Sequence, residues 1–116
     1  MNILLRNTLV RLSMLFFSVV LSSVPGFAQE TDFLVTIKDH KFSPAEIVVP
    51  SDQKIKLVVE NQDPTQEEFE SYDLDREEVV EGNGKITVFI GPLKPGRYEY
   101  FGDFNQDTAQ GTIIAQ

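Results

Sequence analysis

"FLVTIKDHKFSPAEIVVPSDQKIKLVVEN", residues 33–61, alternates apolar and polar side chains and breaks at turn residues. In "FLVTIK" the alternation places Phe33, Val35 and Ile37 on one face. In "KIKLVVE" it turns Ile55, Leu57 and Val59 inward and Lys54, Lys56 and Glu60 outward. Successive side chains of a strand point to opposite faces, so a period of two predicts strands with one buried and one solvated face. "EIVVP" between them reads as a brief strand. Further along, "KITVFI" repeats the pattern with Ile86, Val88 and Ile90, and "RYEYF" and "GTIIA" finish the chain. Turn signals separate these runs: "SP" at 43–44, "PSD" at 50–52, "NQDP" at 61–64, "GNG" at 82–84 and "GPLKPG" at 91–96. Helical periodicity is confined to a weak turn near "DLDREE", residues 73–78. Short strands at this spacing predict a single all-β Greek-key sandwich of about seven strands.

The start of the chain follows other rules. Arg6 and Arg11 lead an apolar run that ends near Val24, and Gly26 and Ala28 supply small residues before a cut after Ala28. This is the layout of a secretory signal peptide, and the apolar run is shorter than the roughly 20 residues that span a bilayer. There is no cysteine to carry a lipid anchor. The expected organisation is a cleaved signal peptide, residues 1–28, and one domain, residues 29–116. That implies a periplasmic location and no membrane insertion after signal removal.

Residues 29–116 hold all eighteen acidic and eight of the ten basic residues, a formal charge of −10. Such a surface repels nucleic acid and attracts cations or basic partners. Without disulfides, stability has to come from sheet packing.

Several motifs resemble a known family. "IKDHKFSPAEIVVPSDQKIKLVVEN" (37–61) is similar to the opening of cupredoxins, and "GPLKPGRYEYFGDF…GTIIA" (91–115) to their ending. The resemblance covers residues 33–115 and implies a cupredoxin-like sandwich. Blue-copper members bind copper through one cysteine, two histidines and a methionine, a soft set suited to redox cycling. Carried over by position, the cysteine falls on Gly102, the second histidine on Asn105, the methionine near Ala109 and the first histidine on Glu67 or Glu68. None of the four ligands is present, so no type 1 copper is expected. "EEFES" (67–71), "LDREEVV" (74–80), "GPLKPG" and "FGDFNQDTAQGT" (101–112) more particularly resemble the EfeO-type and FtrB-like periplasmic cupredoxins of bacterial iron-uptake systems. That resemblance implies a place beside an iron permease, or another periplasmic component of the system, and a part in handling iron or copper.

The cupredoxin fold would gather His40, Glu67, Glu68, Glu70, Asp103 and Asp107 at one end. With Phe69 inward, Glu68 and Glu70 share the outer face and Glu67 lies on the Phe69 side, near the former ligand position. Carboxylates with one imidazole form a hard, oxygen-rich set suited to iron, manganese or calcium and less so to copper(I), and the expected metal is iron or copper(II), with manganese behind them. The candidate metal ligands are therefore His40, Glu67, Glu68, Glu70 and Asp103. The competing readings are plain: a solvated loop histidine, and a solvating acidic run, since residues 60–81 hold ten acids against Arg76. Asp107 with Thr108 reads as a turn or cap pair, Tyr98, Tyr100 and Phe101 as core or rim aromatics, and Arg76 as the partner of a neighbouring acid. No serine stands beside a catalytic base, and no glycine-rich loop precedes a helix, so no enzyme constellation is visible. The leading expectation is an accessory protein that binds or passes a cation. The alternative is a metal-free docking module for a partner protein. A copper-dependent ferroxidase comes third, because it needs a redox metal and an electron acceptor.

Overall fold

The computed structural model describes residues 32–116. The expected signal peptide, residues 1–28, and its cleavage point lie outside the described residues. Within them nine strands form: β1 (Asp32–Lys38), β2 (Lys41–Ser43), β3 (Glu46–Val49), β4 (Ile55–Asn61), β5 (Glu67–Ser71), β6 (Arg76–Val80), β7 (Lys85–Ile90), β8 (Gly96–Gly102) and β9 (Gln110–Ala115). A 3-10 turn, Asp103–Asn105, links the last two. One sheet runs β2-β1-β4-β7 and the other β3-β9-β8-β5-β6. The β1–β4 and β3–β9 pairs are parallel and the rest antiparallel, as Greek-key crossings between two sheets require.

The all-β sandwich is as expected, with two more strands than the alternation suggests. β2 is only three residues long. β6 is an edge strand whose first four residues are all exposed, so it carries no period-two signal. The weak helical turn near "DLDREE" is a turn over residues 72–75 that leads into this strand.

Alternation sets the core. Val35, Ile37, Leu57, Val59, Phe69, Val80 and Ile113 are fully buried, and each such side chain contributes roughly 1.5–3 kcal/mol by leaving water. Phe42, Phe69 and Tyr100 form an aromatic cluster with ring centroids 4.9–6.3 Å apart.

Two polar side chains hold the loops at the end of β4. Asn61 Nδ2 donates to Thr65 O (2.8 Å) and Glu81 O (3.2 Å), and its Oδ1 accepts from Asp63 N (3.0 Å). Asp63 accepts from the backbone N–H groups of Asp39 (2.8 Å) and His40 (2.9 Å). These two residues form the β1–β2 hairpin turn in the left-handed region, φ 52° and 57°. The His40 backbone donor, more than any other influence, holds the Asp63 carboxyl below the usual aspartate range.

Among the described residues Arg76 does not pair with an acid. Its Nε donates to Phe89 O (3.0 Å) and its Nη1 to Asp75 O (2.9 Å). The guanidinium offers donors in several directions, and here it ties edge strand β6 of one sheet to edge strand β7 of the other.

Candidate metal site

β5 reads Glu67-Glu68-Phe69-Glu70-Ser71, with residues 67, 69 and 71 buried and 68 and 70 partly exposed. Glu68 and Glu70 therefore share the outer face of the five-stranded sheet. Phe69 pairs with Gly102 and Glu70 with Phe101 on β8, which brings Asp103, one residue further on, opposite Glu68. Among the described residues, Glu68, Glu70 and Asp103 form the one group of three or more His, Asp or Glu side chains poised for a metal. Each offers a ligand oxygen, and the three lie within 4.8 Å of one another.

A fourth carboxylate joins from the other side. β6 pairs Glu77 with Glu70, and the Glu77 side chain hydrogen-bonds Glu68. Two carboxyl groups can bond this way only by sharing a proton. That bond, with partial desolvation and the charges of Glu77, Asp103 and Glu70, pushes the Glu68 carboxyl up to about 7. Glu70 is also raised, first by desolvation and then by Asp103 and Glu77. Asp103 Oδ1 accepts from Gln106 Nε2 at 2.8 Å. Mutual repulsion of this kind is relieved by a proton or by a bound cation.

Glu77 is the member the sequence reading missed. The available signal was its position two residues before Val79 in a strand antiparallel to "EEFES", and solvent on both sides of β6 conceals it.

Glu67 points inward, as its alternation with Glu68 requires, and is 1% exposed. Its Oε1 accepts from Phe104 N (2.8 Å) and Glu68 N (3.0 Å), and its Oε2 from Asn105 Nδ2 (2.7 Å). It does not belong to the outer group. A Cβ added at Gly102 would lie 2.6 Å from Glu67 Cδ and 2.7 Å from Ala109 Cβ. Of the two positions that the resemblance offers for the first histidine, Glu67 and not Glu68 meets the other three, 102, 105 and 109, at one point. The Glu67 carboxylate fills it.

His40 does not join the carboxylates. The β1–β2 turn holds it beside Asp63, with Nδ1 3.6 Å from Asp63 Oδ2 and the side chain 45% exposed. Asp107 is exposed in the turn before β9 and lies outside the group, while Thr108 Oγ1 makes a long bond to Asn105 O (3.5 Å). Tyr100 is core; Phe101 faces outward, its ring 5.4 Å from Tyr72.

A family model described as a cupredoxin-like domain matches residues 11–115. An uncharacterized protein of Rickettsia prowazekii is 58% identical over 80 residues, covering 69% of this chain and 64% of its own length. The chain thus spans less than two thirds of that relative. Among solved structures, auracyanin A, a blue copper protein from Chloroflexus aurantiacus, superposes with TM-score 0.64 at 12% identity, over 74% of this chain and 98% of its own. Amicyanin from Paracoccus versutus gives 0.60 at 14% identity, over 73% and 81%. The metal-binding domain of the Streptococcus pneumoniae Cu(I)-exporting P-type ATPase gives 0.66 at 13%, over 73% and 84%. These likenesses show the fold.

The residues at the former ligand positions do not suit copper. They supply one carboxylate, one carboxamide, a methyl group and a glycine, with no sulfur or imidazole. The chain has no cysteine, and its two methionines are Met1 and Met14. Three donors already engage both oxygens of Glu67, and Gly102 offers no side chain.

Proposed function

This chain belongs to the cupredoxin-like family, and from that premise we propose that it is an exported protein that holds a hard cation on the outer face of its five-stranded sheet. Glu68, Glu70 and Asp103 are the ligands, and Glu77 is the group whose shared proton the cation displaces. The observation that carries this reading is the convergence of three ligand oxygens within 4.8 Å, two supplied by β5 and one by the 3-10 turn that directly follows its partner strand β8. An all-oxygen set favours iron, manganese or calcium over soft copper(I). The likeness of "EEFES" and "FGDFNQDTAQGT" to iron-uptake cupredoxins makes iron the first candidate cargo and an iron permease, or another periplasmic component of the system, the first candidate partner.

The test is a set of thermal melts of residues 29–116 with ferrous or ferric iron, manganese(II), calcium or copper(II). A bound cation stabilises by RT ln(1 + [L]/Kd), about 2.7 kcal/mol at a hundredfold excess over Kd. The wild-type melt rises with the bound metal, and the rise disappears in Asp103→Asn and Glu70→Gln. A wild-type melt that ignores every cation overturns the reading.

One observation favours the second reading, a docking module. Tyr72 is 79% exposed, rests against Phe101 and flanks the same carboxylates. An aromatic face beside negative charge receives Lys or Arg side chains of a basic partner.

A further inference from the structure

We infer that Glu67 is an internal replacement for the copper of this fold: its carboxylate occupies the point where the four ligand positions meet and performs the structural half of the metal's work. A metal at that point would tie β5 to the β8–β9 loop through its ligands. Glu67 makes the same tie. From β5 it accepts from Phe104 N and Asn105 Nδ2 in the 3-10 turn, and its bond to Glu68 N fixes its own direction. A carboxyl group this deeply buried is rare without partners, and its partners among the described residues are neutral donors aimed at it from two elements. Gly102 completes the arrangement. Its backbone is ordinary extended chain, φ −93° and ψ 112°, so its lack of a side chain serves space and not conformation. The side chain of any other residue there would meet Glu67. Glu67 and Gly102 therefore form a matched pair, a side chain grown inward and a side chain removed to admit it.

The latch also grips the backbone beside both Glu68 and Asp103. On the cation reading above, Glu67 is a positioning residue for the outer ligands. The copper position is closed, and any cation is displaced to the solvent face.

The test is a double-mutant cycle in the signal-less protein, with chelator present so that no cation contributes. Asn105→Asp sets a second carboxylate against Glu67 Oε2, now 2.7 Å from Asn105 Nδ2, and is expected to lower the melting temperature at pH 7 by roughly 10 °C or more. Adding Glu67→Gln restores a donor–acceptor pair with the roles exchanged, and more than half of that loss returns. Melting-temperature changes that simply add overturn the latch, because uncoupled residues make no shared bond.

A second readout separates a latch from a closed but convertible copper site. Copper(I) is diamagnetic and soft, and its addition leaves the NMR positions of the Phe104 amide and the Asn105 side-chain amide unchanged. A saturable shift of either at one equivalent overturns the inference. Failure of the outer cation site leaves both results untouched, so the two readings fail separately.

Discussion

Substituting Gly102 by alanine adds one methyl group where the sandwich has no room for it. The added Cβ would lie 2.6 Å from Glu67 Cδ, 2.8 Å from Glu67 Oε2 and 2.7 Å from Ala109 Cβ, where carbon atoms in contact prefer about 3.5–4.0 Å. Something has to move by about 1 Å. Ala109 is fully buried on the first residue before β9 and its N–H bonds Asn105 O at 2.8 Å, so the backbone there resists. Glu67 can yield only by stretching its three hydrogen bonds. Overpacking alone costs typically 1–3 kcal/mol, and one weakened hydrogen bond to a charged group adds about 1.5–3 kcal/mol. The total is about 3 kcal/mol or more, a large share of the roughly 5–15 kcal/mol that stabilises a domain. For a domain of this size it corresponds to a fall in Tm of roughly 12–24 °C. Circular dichroism melts and urea titrations of Gly102→Ala against wild type measure it, and Ala109→Gly in the same chain returns part of the loss by removing one of the two clashes. A Gly102→Ala protein that melts within about 2 °C of wild type refutes the reasoning, because the extended backbone at this position leaves no other reason for glycine.

Other consequences follow from the same geometry. The Glu68 carboxyl is raised to about 7, so the folded state binds its proton more tightly than the unfolded chain. The associated stability is fully present below the ordinary glutamate value and is lost as pH rises through about 7. Urea titrations from pH 5 to 8 show this fall, and Glu68→Gln or Glu77→Gln flattens it. Asp63 acts in the opposite sense: its lowered carboxyl adds stability above the ordinary aspartate value that is lost as pH falls through its folded-state value, and Asp63→Asn removes that acid limb. Tyr100 is buried with its hydroxyl unpartnered among the described residues, and burial raises its ionisation well above the ordinary tyrosine value. Tyr100→Phe removes a stranded polar group and is expected to stabilise the domain by about 1 kcal/mol, read from the urea midpoint. The exported product is expected to begin at Gln29, and intact mass spectrometry of the secreted protein checks it.

The sequence by itself determined the strands and their faces. A period of two is a local property, legible wherever one face of a strand is buried, and it placed Val35, Leu57 and Val88 inside. The same alternation set Glu67 against Glu68 and Glu70 before any neighbour was known. It failed at β2, whose three residues are too few to show a period, and at the edge strand β6, whose first four residues are all exposed, and so Glu77 went unnoticed. Only the tertiary structure decided the meetings. Asp103 faces Glu68 because β5 and β8, some thirty residues apart, pair with Phe69 against Gly102. His40 is drawn to Asp63 because a left-handed hairpin turn offers its two N–H groups to that carboxylate. Glu67 is a latch because Gly102 at the end of β8 and Asn105 in the 3-10 turn arrive beside it. Register and loop closure are long-range properties set by the packing of both sheets together, and no local pattern in the chain encodes them.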